Sequence, residues 1–328
     1  MKSMVTGANG FLGSAVVRAL LDAGHDVAVF VRRSSDQSNL AGLDVDKRYG
    51  DLRDRASLEE AFADCRFVFH VAADYRLWAP DSGAMYETNV DGSKNVVAAA
   101  ASRRVERLVY TSSVAVLGIN ADRTPAHENT PVSLSDMIGH YKRSKFLAEQ
   151  AVHEAAAQAR LSYVVTNPST PIGPGDVRPT PTGRILVDAA TGRMPAFVDT
   201  GLNIVHVDDC ARGHILALER GADGERYILG GTDLSLERIL QIVAAHLGRR
   251  PPGVRLPRGP LFPIAAIAEV IARFTGEEPR ITLDGLRMAG KHMYFSSEKA
   301  RRDLGYTARP AEDAIHDALE WFRANSYI

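Results

Sequence analysis

Two patterns of apolar positions alternate along the first half of the chain. Short, near-continuous runs of β-favouring residues recur: V-A-V-F-V over Val27–Val31, F-V-F-H-V-A over Phe67–Ala72, R-L-V-Y-T over Arg107–Thr111 and L-S-Y-V-V-T over Leu161–Thr166. Such runs fit strands buried on both faces of a parallel sheet. Between them the apolar residues follow helical spacing. Leu12, Val16 and Leu20 stand four apart, and Gly24 supplies a C-terminal stop. Ser57 and Glu60 form a capping-box pattern that opens a helix through Phe62. Ala84–Arg103 and Gly139–Arg160 predict longer helices. Alternation of this kind implies βαβ units, hence an α/β fold with a doubly wound parallel sheet.

The pattern changes after Asn167. Residues 168–183 read P-S-T-P-I-G-P-G-D-V-R-P-T-P-T-G, too rich in Pro and Gly for a helix or a central strand, and are expected to form a loop leaving the first domain. Shorter helices and a few strands follow, among them Asn203–Val207 and Arg226–Leu229, with a second breaker cluster over Gly248–Pro260. The expected organisation is a parallel-sheet domain over 1–167, joined by return segments from the second half, and a smaller, discontinuous α/β substrate lobe made mainly of 168–328. Leu261–Phe274, L-F-P-I-A-A-I-A-E-V-I-A-R-F, is too short and too charged to span a bilayer. It is expected to be a packed helix of the small lobe, with a lipid-facing helix or the wall of an apolar tunnel as the alternative.

Composition adds limits rather than a function. The 328 residues are 45% hydrophobic and 24% charged, an ordinary balance for a globular chain with a large core. With 39 basic against 40 acidic side chains, nothing draws the whole chain toward nucleic acid or an anionic membrane. Two cysteines, Cys65 and Cys210, are too few for a disulfide framework or a Cys-rich metal site, and no metal is expected. No signal-peptide pattern precedes the first apolar strand and no stretch of about 18 uncharged apolar residues occurs, so a reducing, cytoplasmic setting is expected.

Candidate chemistry begins at V-T-G-A-N-G-F-L-G, Val5–Gly13, a strand end running into a helix. Gly7, Gly10 and Gly13 carry the spacing G-x-x-G-x-x-G. A phosphate needs close approach to backbone N–H groups, and a Cβ would obstruct it. The helix N-terminus offers unpaired donors and a partial positive charge to a pyrophosphate. A βα turn that uses glycine only for its own geometry would read the same way. The next strand ends in Arg32-Arg33, where an NAD site usually places Asp or Glu for the ribose 2′-hydroxyl; Asp36 comes several residues later. Arg32 is placed to meet a 2′-phosphate through charge-assisted hydrogen bonds of about 1.5–3 kcal/mol. NADP is therefore expected ahead of NAD, the alternative being a solvated basic loop.

Tyr141 and Lys145 stand i, i+4 in H-Y-K-R-S-K-F-L-A-E-Q and share one helix face. A free tyrosine, with a pKa of about 10, is a poor acid or base at neutral pH. A neighbouring ammonium favours the phenolate, so Lys145 is expected to make Tyr141 usable for proton transfer. An exposed Tyr and Lys on a surface helix would show the same spacing. Ser113 decides between them: it closes the strand Arg107–Ser112, and open α/β sheets place their sites at C-terminal strand ends. There its hydroxyl can hold a substrate oxygen.

Taken together, T-G-A-N-G-F-L-G (Thr6–Gly13), G-D-L (Gly50–Leu52), N-V-D-G (Asn89–Gly92), T-S-S (Thr111–Ser113), Y-K-R-S-K (Tyr141–Lys145) and N-P-S (Asn167–Ser169) resemble the extended short-chain dehydrogenase/reductases, the NAD-dependent epimerase/dehydratase superfamily. The resemblance covers essentially the whole chain. Within it the sequence is similar to the dihydroflavonol-4-reductase-like branch. It also resembles the bacterial hopanoid-associated sugar epimerases, through A-A-D-Y-R-L-W (Ala72–Trp78), S-L-S-D-M-I-G-H-Y-K-R-S-K and P-T-P-T-G-R-I.

The resemblance implies a Rossmann domain and a catalytic triad of Ser113, Tyr141 and Lys145, with Lys145 also on the nicotinamide ribose. It implies cofactor contacts from Gly7, Asn9, Gly10, Phe11, Leu12 and Gly13, from Arg32 as the basic residue of NADP-using members, and from Asp51 at the adenine with Leu52 beside it. Ala72 and Ala73 would pass along the cofactor, and Pro168 and Ser169 would lie beside the nicotinamide. Asn89 matches an asparagine on the helix lining the site, as a substrate contact or a structural residue. Tyr75 and Trp78, after the fourth strand, are candidate substrate contacts or members of a packed loop. His206-Val207-Asp208-Asp209 matches the segment joining the lobes, with Asp208 or Asp209 opening the next helix. A homodimer through the helices carrying Asn89 and Tyr141 is left open.

Three functions follow. The first is an NADP-dependent reductase or dehydrogenase acting on a carbonyl or secondary alcohol of a small-molecule or lipid-linked sugar substrate, with no nucleic-acid partner. The second is a sugar epimerase with retained cofactor. Such epimerases typically hold NAD, carry an acid at the second strand end and show an R-P-G-D-type segment; Arg309-Pro310-Ala311-Glu312 lies too near the C-terminus to match it. A 4,6-dehydratase would carry Asp-Glu where this chain has Ser112-Ser113. The third is binding without turnover, whose members usually lose the tyrosine or the lysine. The first is preferred.

Overall fold

The structure, a computed structural model, describes residues 1–76, 82–275, 279 and 281–328. The first half runs β1 (Lys2–Thr6), α1 (Phe11–Asp22), β2 (Asp26–Val31), β3 (Asp46–Tyr49), α2 (Arg55–Ala61), β4 (Phe67–His70), α3 (Gly83–Tyr86), α4 (Gly92–Ser102), β5 (Arg107–Thr111), α5 (Gly139–Ala159) and β6 (Tyr163–Pro168). The second half adds β7 (Thr170–Ile172), α6 (Pro181–Ala190), β8 (Ala196–Phe197), β9 (Gly201–His206), α7 (Val207–Arg220), β10 (Arg226–Leu229), β11 (Thr232–Ser235) and α8 (Leu236–His246). It continues with β12 (Val254–Arg255), α9 (Leu261–Thr275), α10 (Leu283–Met288), β13 (His292–Met293), α11 (Glu298–Leu304) and α12 (Ala311–Ala324).

Seven parallel strands form the main sheet in the order β3-β2-β1-β4-β5-β6-β10. The continuous apolar runs are explained by burial on both faces. Val5, Val29, Phe69, Val109 and Val164 pack toward α1 and α7, while Met4, Ala28, Val68, Leu108 and Val165 pack toward α2, α4 and α5. Strand order reverses between β1 and β4, and the crevice outside the C-terminal ends of those strands is where open α/β sheets take ligands. β10 enters this sheet from the second half, pairing parallel to β6.

The smaller sheet is β11-β9-β13, with β7 also on β9, and β12 pairs β8 separately. Its core joins Ile172, Ile204, Leu186, Ile239, Ile315 and Leu319 from β7, β9, α6, α8 and α12. The Pro/Gly-rich stretch after Asn167 is thus not wholly loop. Thr170, Pro171 and Ile172 run parallel to β9 at a sheet edge, where a proline's missing N–H is tolerated. Pro181 then starts α6, with the Thr180 hydroxyl accepting from Gly183 N–H at 3.1 Å.

Three further elements depart from expectation. Asp54, not Ser57, caps α2: its carboxylate accepts from the N–H groups of Ala56 and Ser57 at 3.0 and 3.4 Å. Ser57 lies inside the helix and turns its hydroxyl back to the Asp54 carbonyl at 2.8 Å. The helix expected over Ala84–Arg103 is split by a π-turn at Glu87–Asp91. α9 packs, but through its alanines: Ala265 and Ala272 are buried, while Ile264, Ile267, Val270, Ile271 and Phe274 are exposed. Among the described residues no helix is long and apolar enough to cross a membrane.

Candidate active site

β1 delivers Gly7 into the crevice at a φ of +69°, and a Cβ there would stand 2.6 Å from the Ala72 Cα. A Cβ on Gly13 would run into the Gly7 carbonyl oxygen, which already accepts from Gly10 N–H at 3.0 Å. Gly10 precedes α1 without a side-chain cap, and no acidic residue occupies the first turn. The first turn of α1 therefore keeps its donors and its partial positive charge. Phe11 and Leu12 pack partly buried against the core beneath. The Ser169 hydroxyl, between β6 and β7, is buried without a partner among the described residues. A cradle that a Cβ would fill, an uncapped helix start and an orphaned hydroxyl fit a dinucleotide phosphate and its nicotinamide end. Pro168 is buried and Ser169 N–H donates to Leu229 O at 3.2 Å, which fixes that loop on β10.

Asn9 spends its amide on the loop after β2, donating to Asp36 O at 2.9 Å. Asn39 returns a bond to Asn9 O at 3.3 Å and one to Gly175 O at 3.1 Å. Arg32 is exposed at the end of β2, and its charge acts on Asp51 and Asp74. Asp36 turns away to accept Ser38 N–H at 2.9 Å, so no carboxylate stands in the strand-end position. Asp51 is clasped by Arg53 from Nε and Nη2 at 3.0 and 2.9 Å, which holds its carboxyl below the usual range. Leu52 O accepts from Asn95 at 3.0 Å.

Ser113 lies two residues beyond the end of β5 and caps a short 3-10 turn, accepting from Ala115 N–H at 3.1 Å. Tyr141, in the first turn of α5, meets the Ser113 side chain. Burial raises the Tyr141 pKa, and the Ser113 hydrogen bond opposes that rise only in part. Lys145 is 3% exposed; its ammonium donates to Thr111 O at 2.8 Å and lies 5.0 Å from the Tyr110 ring centroid. Burial pulls its pKa down to about 8, with Glu149 pulling the other way. The expectation that Lys145 would lower the Tyr141 pKa is therefore corrected. The dominant influence on Tyr141 is desolvation, and the lysine is directed at a strand carbonyl.

Four supporting residues escaped the sequence reading. His70, at the end of β4, links Thr6 Oγ1 at 2.8 Å to Ser93 Oγ at 3.0 Å, and burial takes its pKa to about 3. His214 joins Thr111 Oγ1 at 3.1 Å and is similarly held neutral, at about 4. Glu149, one turn beyond Lys145, pairs with Arg226 at 3.1 Å and accepts from Asn167 at 3.2 Å, tying α5 to β6 and β10. Its i, i+4 relation to Lys145 is the one local signal that could have found it. Asp176 takes Thr180 N–H on both carboxyl oxygens at 3.0 and 2.9 Å, and burial raises its pKa to about 6.

Asn89 sits in the π-turn and is 2% exposed. Its oxygen accepts from Asp74 N–H at 2.7 Å, and its nitrogen donates to Asp74 O and Ser144 Oγ, both at 2.9 Å. Those bonds clamp the loop after β4 to α5 and leave no amide proton for a substrate. Ala72 and Ala73 lie at the start of that loop, with Ala72 N–H on Thr6 Oγ1 at 3.4 Å. Tyr75 is 46% exposed, in the electrostatic reach of Asp176, Arg178 and Arg184. Trp78 lies outside the described residues. His206 itself caps α7, accepting from Asp208 N–H at 3.0 Å, in place of the Asp208 or Asp209 cap expected. The Asp209 carboxylate is taken by Arg309 from Nε and Nη2 at 3.0 and 2.9 Å.

The sequence profile of the NAD dependent epimerase/dehydratase family matches residues 3–230. The chain is 40% identical over 328 residues to a Synechocystis sp. protein whose name proposes dihydroflavonol 4-reductase activity, covering 99% of this chain and 95% of that one. It is 34% identical over 330 residues to sterol demethylase protein B of Methylococcus capsulatus, covering 100% of both. Among solved structures, the crystal structure of gox2253 matches with a TM-score of 0.90 and 50% identity, covering 99% of each chain.

Proposed function

The chain belongs to the NAD dependent epimerase/dehydratase family, and from that premise we propose that it is an NADP-dependent reductase of a carbonyl on an apolar small molecule. The observation that carries this reading is the end of β2, where an exposed Arg32 stands and the next carboxylate along the chain, Asp36, is committed to Ser38. A guanidinium there favours a 2′-phosphate, which marks the reducing cofactor pool. The names of the two curated relatives, a flavonol-type reductase and a sterol-modifying protein, support an apolar substrate. Similarity to the hopanoid-associated group makes a polycyclic lipid with a sugar-derived side chain the first substrate to offer.

In this reading the glycine loop and the start of α1 hold the pyrophosphate, Arg32 faces the 2′-phosphate, Asp51 and Leu52 face the adenine, and Ala72, Ala73, Pro168 and Ser169 line the path to the nicotinamide. When bound, the nicotinamide supplies the hydride. Ser113 holds the substrate oxygen. Tyr141, whose phenol is protonated at neutral pH, gives it a proton. Lys145 holds positive charge one helical turn away and is placed to orient the ribose.

The test is turnover with NADPH against NADH on a panel of apolar ketones that includes polycyclic lipid ketones. Alcohol formation matched by NADPH consumption, at least ~10-fold faster than with NADH, is expected. Inversion of a sugar carbon with no net NADPH consumption would contradict the reading in favour of an epimerase.

A further inference from the structure

Helix α9 has its apolar residues the wrong way round for a helix that exists only to fill the small lobe. The side chains it buries are alanines, and those it exposes are large: Ile264 at 54%, Ile267 at 62%, Ile271 at 55% and Phe274 at 87%. At 100° per residue these positions, with Val270, fall on a single face about a third of the helix circumference wide. The exposure is concentrated here. Of the twelve large apolar side chains exposed among the described residues, eight lie between Val254 and Ile281. Single exposed apolar residues are ordinary, whereas a contiguous set marks a surface that meets something apolar.

Charge identifies what it meets. Residues 247–291 carry eight basic and four acidic side chains, in a chain whose totals are 39 and 40. The segment leading into α9 holds Arg249, Arg250, Arg255 and Arg258, all exposed, and no acidic residue; Arg255 pairs with Asp199 and Arg249 donates to Ala190 O, which leaves Arg250 and Arg258 as the cations the proposal draws on. On the described part of the patch the two carboxylates are engaged: Glu269 accepts Leu283 N–H at 2.7 Å, and Asp284 pairs with Arg287 at 2.8 Å. A large apolar helix face preceded in the chain by a basic segment is complementary in composition to a bilayer surface, acyl chains against the isoleucines and anionic headgroups against the arginines. The whole-chain balance conceals this local excess.

We propose that α9 and the basic segment before it form a docking surface for an anionic lipid bilayer, on which the helix lies in the interface plane without crossing. The location serves the crevice. Asp284 of α10, a helix that packs on α9, lies against Gly139, two residues before Tyr141, which links the docking helix to the start of α5.

The experiment is co-sedimentation of the full chain with vesicles of equal parts phosphatidylglycerol and phosphatidylcholine, and with phosphatidylcholine alone, at low and high salt. Binding to the anionic vesicles that weakens with salt is expected. Ile267→Glu with Ile271→Glu, and separately Arg250→Glu with Arg258→Glu, are each expected to weaken it at least tenfold. Both pairs lie outside the crevice, so melting temperature and NADPH affinity should stay as in the parent and report that each variant is folded. No binding of the parent to anionic vesicles would overturn the proposal, as would binding that both pairs leave unchanged. A dimer by light scattering that Ile267→Glu with Ile271→Glu splits, without vesicle binding, would assign the face to a second copy of the chain and also overturn it.

Discussion

Tyr141 sits in the first turn of α5 against Ser113, and burial raises the pKa of its phenol. Removing the hydroxyl takes away the proton donor without touching the glycine loop. Tyr141→Phe is therefore expected to lower kcat by about 10²-fold or more while NADPH affinity changes by less than about twofold. Steady-state kinetics and a fluorescence titration check this, and near-parental turnover would remove Tyr141 from proton transfer. At this scale the legible residues were those whose meaning is local. The Gly7–Gly13 spacing and the Tyr141/Lys145 interval are read within one turn or one loop. His70 could not be read so, because its partners Thr6 and Ser93 come from distant parts of the chain. Asn89 was legible as a motif residue but not as a clamp, since only the folded chain places Asp74 and Ser144 on its amide.

Among the elements, the inner strands of the main sheet were legible because burial on both faces writes an unbroken apolar run, whereas β3, D-K-R-Y and mostly exposed at the sheet edge, writes none and was missed. β7, β8, β12 and β13 are only two or three residues long and carry no such pattern. α6 shows what the Pro/Gly-rich reading missed: a helix whose entry is held by one buried carboxyl. The Asp176 pKa is raised in the fold to about 6, from an ordinary value near 4. A raised carboxyl pKa means that the folded state binds the extra proton. The contribution is full below pH 4 and is lost as pH rises through 6. Asp176→Asn carries no charge to desolvate. Its stability relative to the parent should improve by about 2–3 kcal/mol between pH 4 and pH 8. Urea unfolding at those two pH values measures it; a difference that stays constant would show that the carboxyl is not held in this environment.

At the scale of the whole molecule, the two sheets divide the work. The seven-stranded sheet presents the glycine loop and Ser113 at the crevice, and α5, packed on its face, adds Tyr141 and Lys145. The small lobe brings α6 and its loop toward Tyr75, and α9 outward. The family profile ends at residue 230, so the elements from β11 onward, where α9 lies, fall beyond the shared pattern. The central claim, that the crevice takes an exchangeable NADP through Arg32, is tested most directly by native mass spectrometry of the purified chain. Titration of its open sites with NADPH and NADH would follow, for the parent and for Arg32→Asp. The account predicts a protein that binds NADPH reversibly and at least ~10-fold more tightly than NADH, with that preference lost or reversed in Arg32→Asp. A protein purified with one tightly held NAD per chain, or a preference unchanged by Arg32→Asp, would contradict it.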